Sequence, residues 1–323
     1  MADGTAVSVA AWNVQVFGRS KMAKEGVAEM LADVILNYDV VCVQEVRDAT
    51  ERAIEELHSV VNERARGNDD EYGLLLSERL GRTSSKEQYA WFYRKEKVSV
   101  VRESTYADKD DNFERSPQTV WWNVHGAGEF GFMCMHVSPE DAVEELDAMA
   151  DVADEQINSG SSHGLLIGGD LNADCSYVTN SEEKCARDES CMDIEIDLFK
   201  SDYTWHISDD EDTTTKASNC AYDRFITRGE IHVYDAEVVR FDTELHLSPE
   251  QAQEVSDHYP IASRVMVSPT SEEGQTSSAN QRRRPFFESI FPAMILLLNI
   301  ACLSWGSKLW MAFSPSESVP AVL

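Results

Sequence analysis

The chain has 323 residues, enough for one large domain or two small ones with a sizeable core in either case. Lys and Arg total 28 against 58 Asp and Glu, a formal net charge of −30. That balance argues against a protein that holds a polyanion through a basic surface, since phosphate affinity ordinarily comes from Lys and Arg.

In chain order, residues 7–11 form a small apolar run that reads as a strand and ends in Trp12-Asn13-Val14-Gln15. Val27, Met30, Leu31, Val34 and Ile35 recur at helical spacing and lead to the β-branched run Val40-Val41-Cys42-Val43, which ends in Gln44-Glu45-Val46-Arg47. A second amphipathic helix carries Ile54, Leu57, Val60 and Val61. Residues 74–77, 91–94, 98–102 and 120–124 read as paired strands, and 130–135 as an apolar strand ending in His136. Ser138-Pro139 looks like a cap followed by Pro in the first turn, opening a helix with Val143, Leu146 and Val152 on one face. Leu165-Leu166-Ile167 then leads into Gly168-Gly169-Asp170-Leu171-Asn172-Ala173-Asp174, and far downstream stands Glu254-Val255-Ser256-Asp257-His258-Tyr259-Pro260. Strand clusters mixed with helices predict two packed mixed sheets with helices outside.

Each polar group at a strand end has a bland reading. Asn there is usually a turn residue, Glu a solvated end, and His a satisfied hydrogen-bonding group. Such runs suit strands buried on both faces, however, and ligands of helix-covered sheets sit at strand ends. Clusters repeating at strand ends do not share the bland explanation, so the functional reading is preferred.

The order Asn13, Gln44-Glu45, His136, Gly169-Asp170-Leu171-Asn172 and Ser256-Asp257-His258 resembles the endonuclease/exonuclease/phosphatase superfamily. The stretches Asp174-Cys175-Ser176-Tyr177-Val178 and Asn219-Cys220-Ala221-Tyr222-Asp223-Arg224 narrow the resemblance to the deoxyribonuclease I family, over about residues 7–267. It implies a four-layer α/β sandwich and a divalent-cation-dependent endonuclease acting on double-stranded DNA with little sequence preference. The abasic-site endonuclease, sphingomyelinase and inositol phosphatase branches share Glu45, Asp170, Asn172 and Asp257-His258 but are not expected to carry those two stretches. Intact Glu45, His136, Asp170 and His258 argue against an inactive, membrane-displayed binding protein.

By this resemblance His136 pairs with Glu87 and His258 with Asp223, each carboxylate raising its imidazole and fixing the tautomer so that one His is base and the other acid. Asp170 and Asn172 complete the catalytic set, Asn172 orienting the scissile phosphate. Glu45, helped by Asn13, Asp170 and Asp257, offers the hard oxygen donors that suit Mg2+ and Ca2+, or Mn2+. Cations in the acidic pocket would invert its local sign toward phosphate. Arg47 and Tyr177 match positions that contact DNA, and Arg115 and Asn172 join the expected DNA-binding set. Ser85 stands where the family has a groove-stacking tyrosine, and Leu171 replaces the usual Phe. The family's calcium loop, here 106–115, is short and without Cys, leaving Asp108 and Asp111 as its ligands. Actin enters as a partner only through the resemblance; no residue points to it.

Seven cysteines are present. Cys42 and Cys134 lie inside apolar strand runs and are expected to be buried free thiols. Cys175 and Cys220 match the positions of the family's essential disulfide. Cys185 and Cys191 share a polar loop, and spacing alone does not decide whether they pair. Disulfides imply an oxidising compartment. Met1 is followed by Ala-Asp-Gly-Thr and then the first strand, without a secretory leader, which reads either as a mature or truncated amino end or as a protein that stays inside the cell; the disulfides favour the first.

Residues 1–267 are therefore the expected catalytic domain. A polar linker with Arg282-Arg283-Arg284 spans 268–285, an apolar tail 286–313, and a polar tail 314–323. Residues 289–307 carry no charge, at the lower end of the about 17 to 25 residues that cross a bilayer. The tail is expected to attach an outward-facing enzyme to a membrane, as a removed glycolipid signal or as a retained helix.

Overall fold

The computed structural model describes residues 5–66, 70–159, 164–188 and 196–267. The apolar tail, its linker and the possible partner Cys191 lie outside the described residues, as does the side chain of Cys185. Among the described residues, no helix is long and apolar enough to cross a membrane.

The described strands, in chain order, are β1 (Thr5–Phe17), β2 (Val40–Val46), β3 (Tyr72–Leu76), β4 (Gln88–Arg94), β5 (Val98–Thr105), β6 (Gln118–Val124), β7 (Glu129–Cys134), β8 (Gly164–Asp170), β9 (Tyr203–Trp205), β10 (Asp223–Gly229), β11 (His232–Val238) and β12 (Ile261–Val267). They form two six-stranded sheets, ordered β11-β12-β1-β2-β4-β3 and β5-β6-β7-β8-β10-β9. In each sheet one parallel pair, β1 with β2 or β7 with β8, sits at the centre, and antiparallel strands flank it. The described helices are α1 (Arg19–Met22), α2 (Val27–Ile35), α3 (Arg52–Ala65), α4 (Ala142–Ser159), α5 (Asn180–Asp188), α6 (Phe241–Glu244) and α7 (Pro249–Val255).

Period-two alternation builds the layers. Along β1, Val7, Val9 and Ala11 face the space between the sheets, while Ala10, Trp12 and Val14 face the outer helices. Along β7, Phe130, Phe132 and Cys134 point inward and Met133 outward. Helices α2 and α3 cover the outer face of the first sheet, and α4 that of the second. Burial on both faces is why these strands are continuous apolar runs. Trp91 packs against Trp122 and Phe132 in the inner layer, with ring centroids 5.9 Å and 5.0 Å away. The layering is the four-layer α/β sandwich.

Two expectations need correction. Cys42 and Cys134 are disulfide-bonded, with Cα atoms 6.6 Å apart, rather than free thiols. Both are inward positions on central strands of facing sheets, so alternation aims the two sulfurs into the same layer. Helix α4 begins at Ala142, not after Ser138. Residues 138–141 close a turn of their own, Asp141 N–H donating to Ser138 O at 3.3 Å.

Candidate active site

Parallel pairing carries the ends of β1 and β2, with Asn13 and Glu45, to one edge of the first sheet. The same pairing carries the ends of β7 and β8, with His136 just beyond Cys134 and with Asp170, to one edge of the second. Asp223 opens β10 directly opposite Asp170 in antiparallel register, and β12, starting at Ile261 opposite Ala11, brings Asp257 and His258 to the same edge. Buried Gln44 locks the edges together: its Nε2 donates to Met135 O at 2.5 Å and its Oε1 accepts from Asp170 N–H at 2.9 Å. Gly169, at φ 139°, is required here, because a Cβ would collide with Met135 O and the Gln44 amide.

Two His–carboxylate pairs face each other across Asp170. His136 Nδ1 lies 2.5 Å from Glu87 Oε1, and His258 Nδ1 lies 2.8 Å from Asp223 Oδ2. Each Nε2 stands 3.5 Å from the same Asp170 Oδ2. Backbone bonds fix both residues from behind: the His136 backbone N–H donates to the Tyr89 hydroxyl at 3.0 Å, and the His258 backbone N–H to Ser256 Oγ at 3.1 Å. Ser256 Oγ in turn donates to Asn13 O at 2.6 Å, and Trp12 Nε1 to His258 O at 2.9 Å. Thr213 Oγ1 accepts from Asp223 N–H at 3.2 Å.

The surroundings of the two pairs differ. Glu87 is also ion-paired with Arg115 Nε and, at 3.3 Å, with Arg47 Nη2. Burial disfavours its charge, but His136, Arg115 and Arg47 outweigh burial and bring the carboxyl down to about 2. Burial likewise opposes a charged His136, and Glu87 overrides it and raises the imidazole. His258 faces Asp223, Asp170 and Asp257; against the opposing effect of burial these carboxylates push it up to about 10. Burial raises Asp223 as well, so this pair keeps a proton between its members. Asp170 is lowered, burial being overcome by the two imidazoles.

The oxygen donors converge beside these pairs. Asn13 Nδ2 bridges Asp170 Oδ2 at 2.9 Å and Glu45 Oε1 at 3.1 Å. Glu45 Oε2 accepts from Val16 N–H at 2.7 Å and is paired with Arg47 at 2.9 Å. Asp257 Oδ2 holds Lys216 Nζ at 2.6 Å, while its Oδ1 is buried and, among the described residues, has no hydrogen-bond partner. An orphaned carboxylate oxygen beside further carboxylates fits a hard divalent cation. Asn13 turns its amide NH2, not its oxygen, toward the two carboxylates.

Asn172 is buried within this group, its N–H on Asp170 Oδ1 at 3.2 Å and its Nδ2 on Val137 O at 2.9 Å. Arg115 is mostly buried, its Nη1 donating to His136 O at 3.3 Å. Tyr177 packs on Tyr222, ring centroids 5.2 Å apart, and Tyr222 lies 6.3 Å from the His258 ring. Cys175 and Cys220 are disulfide-bonded, Cα atoms 5.9 Å apart. Asp108 and Asp111 are engaged elsewhere. Asp108 accepts from Asn112 N–H at 3.0 Å and Phe113 N–H at 2.8 Å, and exposed Asp111 pairs with Arg82 at 2.9 Å.

Sequence reasoning assigned no role to Gln44, Tyr89, Ser256 or Thr213. Gln44 and Ser256 stand inside the motifs above, but the bonds of Gln44 to Met135 and Asp170 and of Ser256 Oγ to Asn13 O cross 91 or more positions of chain and carry no local signal.

A model of the Endonuclease/Exonuclease/phosphatase family matches residues 10–258. The chain is 36% identical over 264 residues to Deoxyribonuclease-1-like 2 of Mus musculus, covering 80% of this chain and 91% of that one. It is 34% identical over 270 residues to Deoxyribonuclease-1 of Bos taurus, covering 80% and 92%. Among solved structures, an endonuclease/exonuclease/phosphatase family protein from Bacteroides thetaiotaomicron has a TM-score of 0.54 at 14% identity, covering 83% of this chain and 97% of that one. D. rerio TDP2 complexed with single strand DNA product has a TM-score of 0.56 at 14% identity, covering 81% and 99%. At that identity the structures speak for the fold alone.

Proposed function

The chain belongs to the endonuclease/exonuclease/phosphatase family, in its deoxyribonuclease I branch, and from that premise we propose that it is an endonuclease hydrolysing phosphodiester bonds of double-stranded DNA with a divalent cation. The observation that carries the reading is the pair of opposed His–carboxylate dyads around Asp170, both Nε2 atoms 3.5 Å from one oxygen.

Hydrolysis needs a deprotonated water, a protonated leaving oxygen and neutralised phosphoryl charge. His136 takes the water's proton. Its carboxylate partner shares its charge with two guanidiniums, so the proton on His136 is held by less unshared negative charge. His258, facing three carboxylates, keeps a proton and delivers it to the leaving oxygen. Asn172 orients the phosphate. Glu45, Asp257, Asp170 and Asn13 are the groups that would hold Mg2+ or Ca2+, which when bound would offset charge developing on the phosphoryl oxygens. Arg47, Arg115 and Tyr177 line the DNA side. A net charge of −30 then means that DNA affinity depends on divalent ions more than on basic surface.

Two disulfides suit an enzyme working in an oxidising compartment. Membrane attachment through residues 286–313 belongs to the same proposal: deletion of 289–323 should leave activity intact and release the protein from membranes. Supercoiled-plasmid nicking with Mg2+ plus Ca2+, against EDTA, tests the activity; intact plasmid at every divalent concentration would overturn it.

A further inference from the structure

Outside the pocket, α4 carries a buried acid that the proposed chemistry does not use. Glu145 is fully buried in the first turn of α4. Its Oε1 accepts from Glu114 N–H at 2.7 Å and its Oε2 from Ser138 N–H at 3.1 Å. Those amides belong to two loops that also meet at the active site, where Arg115 Nη1 donates to His136 O. Glu114 precedes Arg115, whose guanidinium holds Glu87 and the carbonyl of His136. Ser138 follows His136 by two residues, and between them Val137 donates to Asp170 O at 3.0 Å and accepts from Asn172 Nδ2 at 2.9 Å. One carboxylate therefore ties the strand end bearing His136 to the loop bearing the arginine that orients Glu87.

We infer that Glu145 is a positioning residue: by clamping the 114–115 loop to the 136–138 loop it fixes the Glu87–His136 dyad from outside the pocket. This rests on the nuclease reading for its effect on rate, though not for its effect on the loops. The site is kept against the interest of the fold. Burial, the largest influence, pushes the Glu145 carboxyl up to about 7, while the two amides, Arg115 and Arg82 pull it down. Arg115, Arg82 and, more distantly, the Tyr89 hydroxyl are the titratable or charged groups facing it, and Arg82 is itself held by Asp111 and Asp141. At pH 8 the protein thus carries a buried, ionised acid to make two amide bonds, and a neutral amide would be easier to bury.

Glu145→Gln sets the two roles against each other. A carboxamide has one acceptor oxygen, so one loop is released while the buried charge is removed. The expected result at pH 8 is a melting temperature equal to or above wild type, kcat down about tenfold and KM little changed. Glu144→Gln, on the exposed side of the same turn, should change neither. A fall in stability that accompanies the rate loss, or full activity in Glu145→Gln, overturns the inference. If Gln is not tolerated, Glu145→Asp, one methylene shorter, must show the same kcat loss. Hydrogen exchange should speed up in the variant at whichever of the Glu114 and Ser138 amides faces the carboxamide NH2. Unchanged exchange refutes the clamp, whereas a wild type that cuts no DNA refutes the nuclease reading and leaves the exchange result standing.

Discussion

The two dyads share one geometry and differ in the company they keep. Glu87–His136 is buttressed by Arg115 and Arg47 and sits beside the Cys42–Cys134 bridge, two residues before His136. Asp223–His258 is surrounded by Asp170 and Asp257 and lies beside the Cys175–Cys220 bridge, three residues before Asp223. Arginines drain negative charge from the first pair and carboxylates add it to the second. Equal hydrogen bonds therefore do not make equal imidazoles: neighbours decide which one gives up a proton first.

The largest effects should come from removing the imidazoles themselves. His136→Ala and His258→Ala should each lower plasmid cleavage by at least about a hundredfold. A near wild-type rate in both would break the comparison at its root. A smaller, asymmetric loss separates the carboxylates. Glu87→Gln strands Arg115, whose side chain is only 14% exposed, so it should lose melting temperature as well as rate. Asp223→Asn leaves His258 with Asp170 and should lose mainly rate. Equal melting temperatures for the two variants would show that the arginines do not distinguish the dyads.

The bridge beside the second dyad should stabilise the fold by about 2 to 5 kcal/mol, read by denaturant unfolding of Cys175→Ser/Cys220→Ser. Mass mapping of the active protein should find Cys42 joined to Cys134 and Cys175 to Cys220, and free thiols at either pair would remove that parallel. The smallest effects concern pH. Glu87, depressed from 4.5 to about 2, stabilises the fold above 4.5 and loses that contribution as pH falls toward 2. His258, raised from 6.5 to about 10, stabilises the fold below 6.5 and loses that contribution as pH rises toward 10. Melting temperatures should show both limbs, with Glu87→Gln flattening the acid limb and His258→Ala the alkaline one.

The sequence was legible where chemistry and strand ends coincide. Asn13, Glu45, His136, Asp170 and Asn172 stand at the ends of apolar runs, and the pairing of parallel strands brings those ends to one edge, to which antiparallel β12 adds His258 from the segment before it. What stayed hidden depends on facing across the sandwich. Cys42 and Cys134 look like two ordinary core thiols until the sheets stack, and Gln44 reads as a polar residue until its amide is seen between Met135 and Asp170. The start of α4 was misplaced because Ser138 offers a plausible cap, while Glu145, seven residues on, takes its amide instead. The tail, from 268 onward, lies outside the described residues and remains a matter of composition.

The division of labour between the dyads is tested most directly with a leaving group that needs no proton. Cleavage rates of wild type, His136→Ala and His258→Ala are compared on DNA and on a nitrophenyl phosphodiester, whose phenolate departs unaided. If His258 is the acid and His136 the base, His258→Ala recovers on the nitrophenyl ester while His136→Ala stays impaired on both substrates. Equal impairment of His258→Ala on both substrates, or rescue of His136→Ala instead, contradicts the assignment.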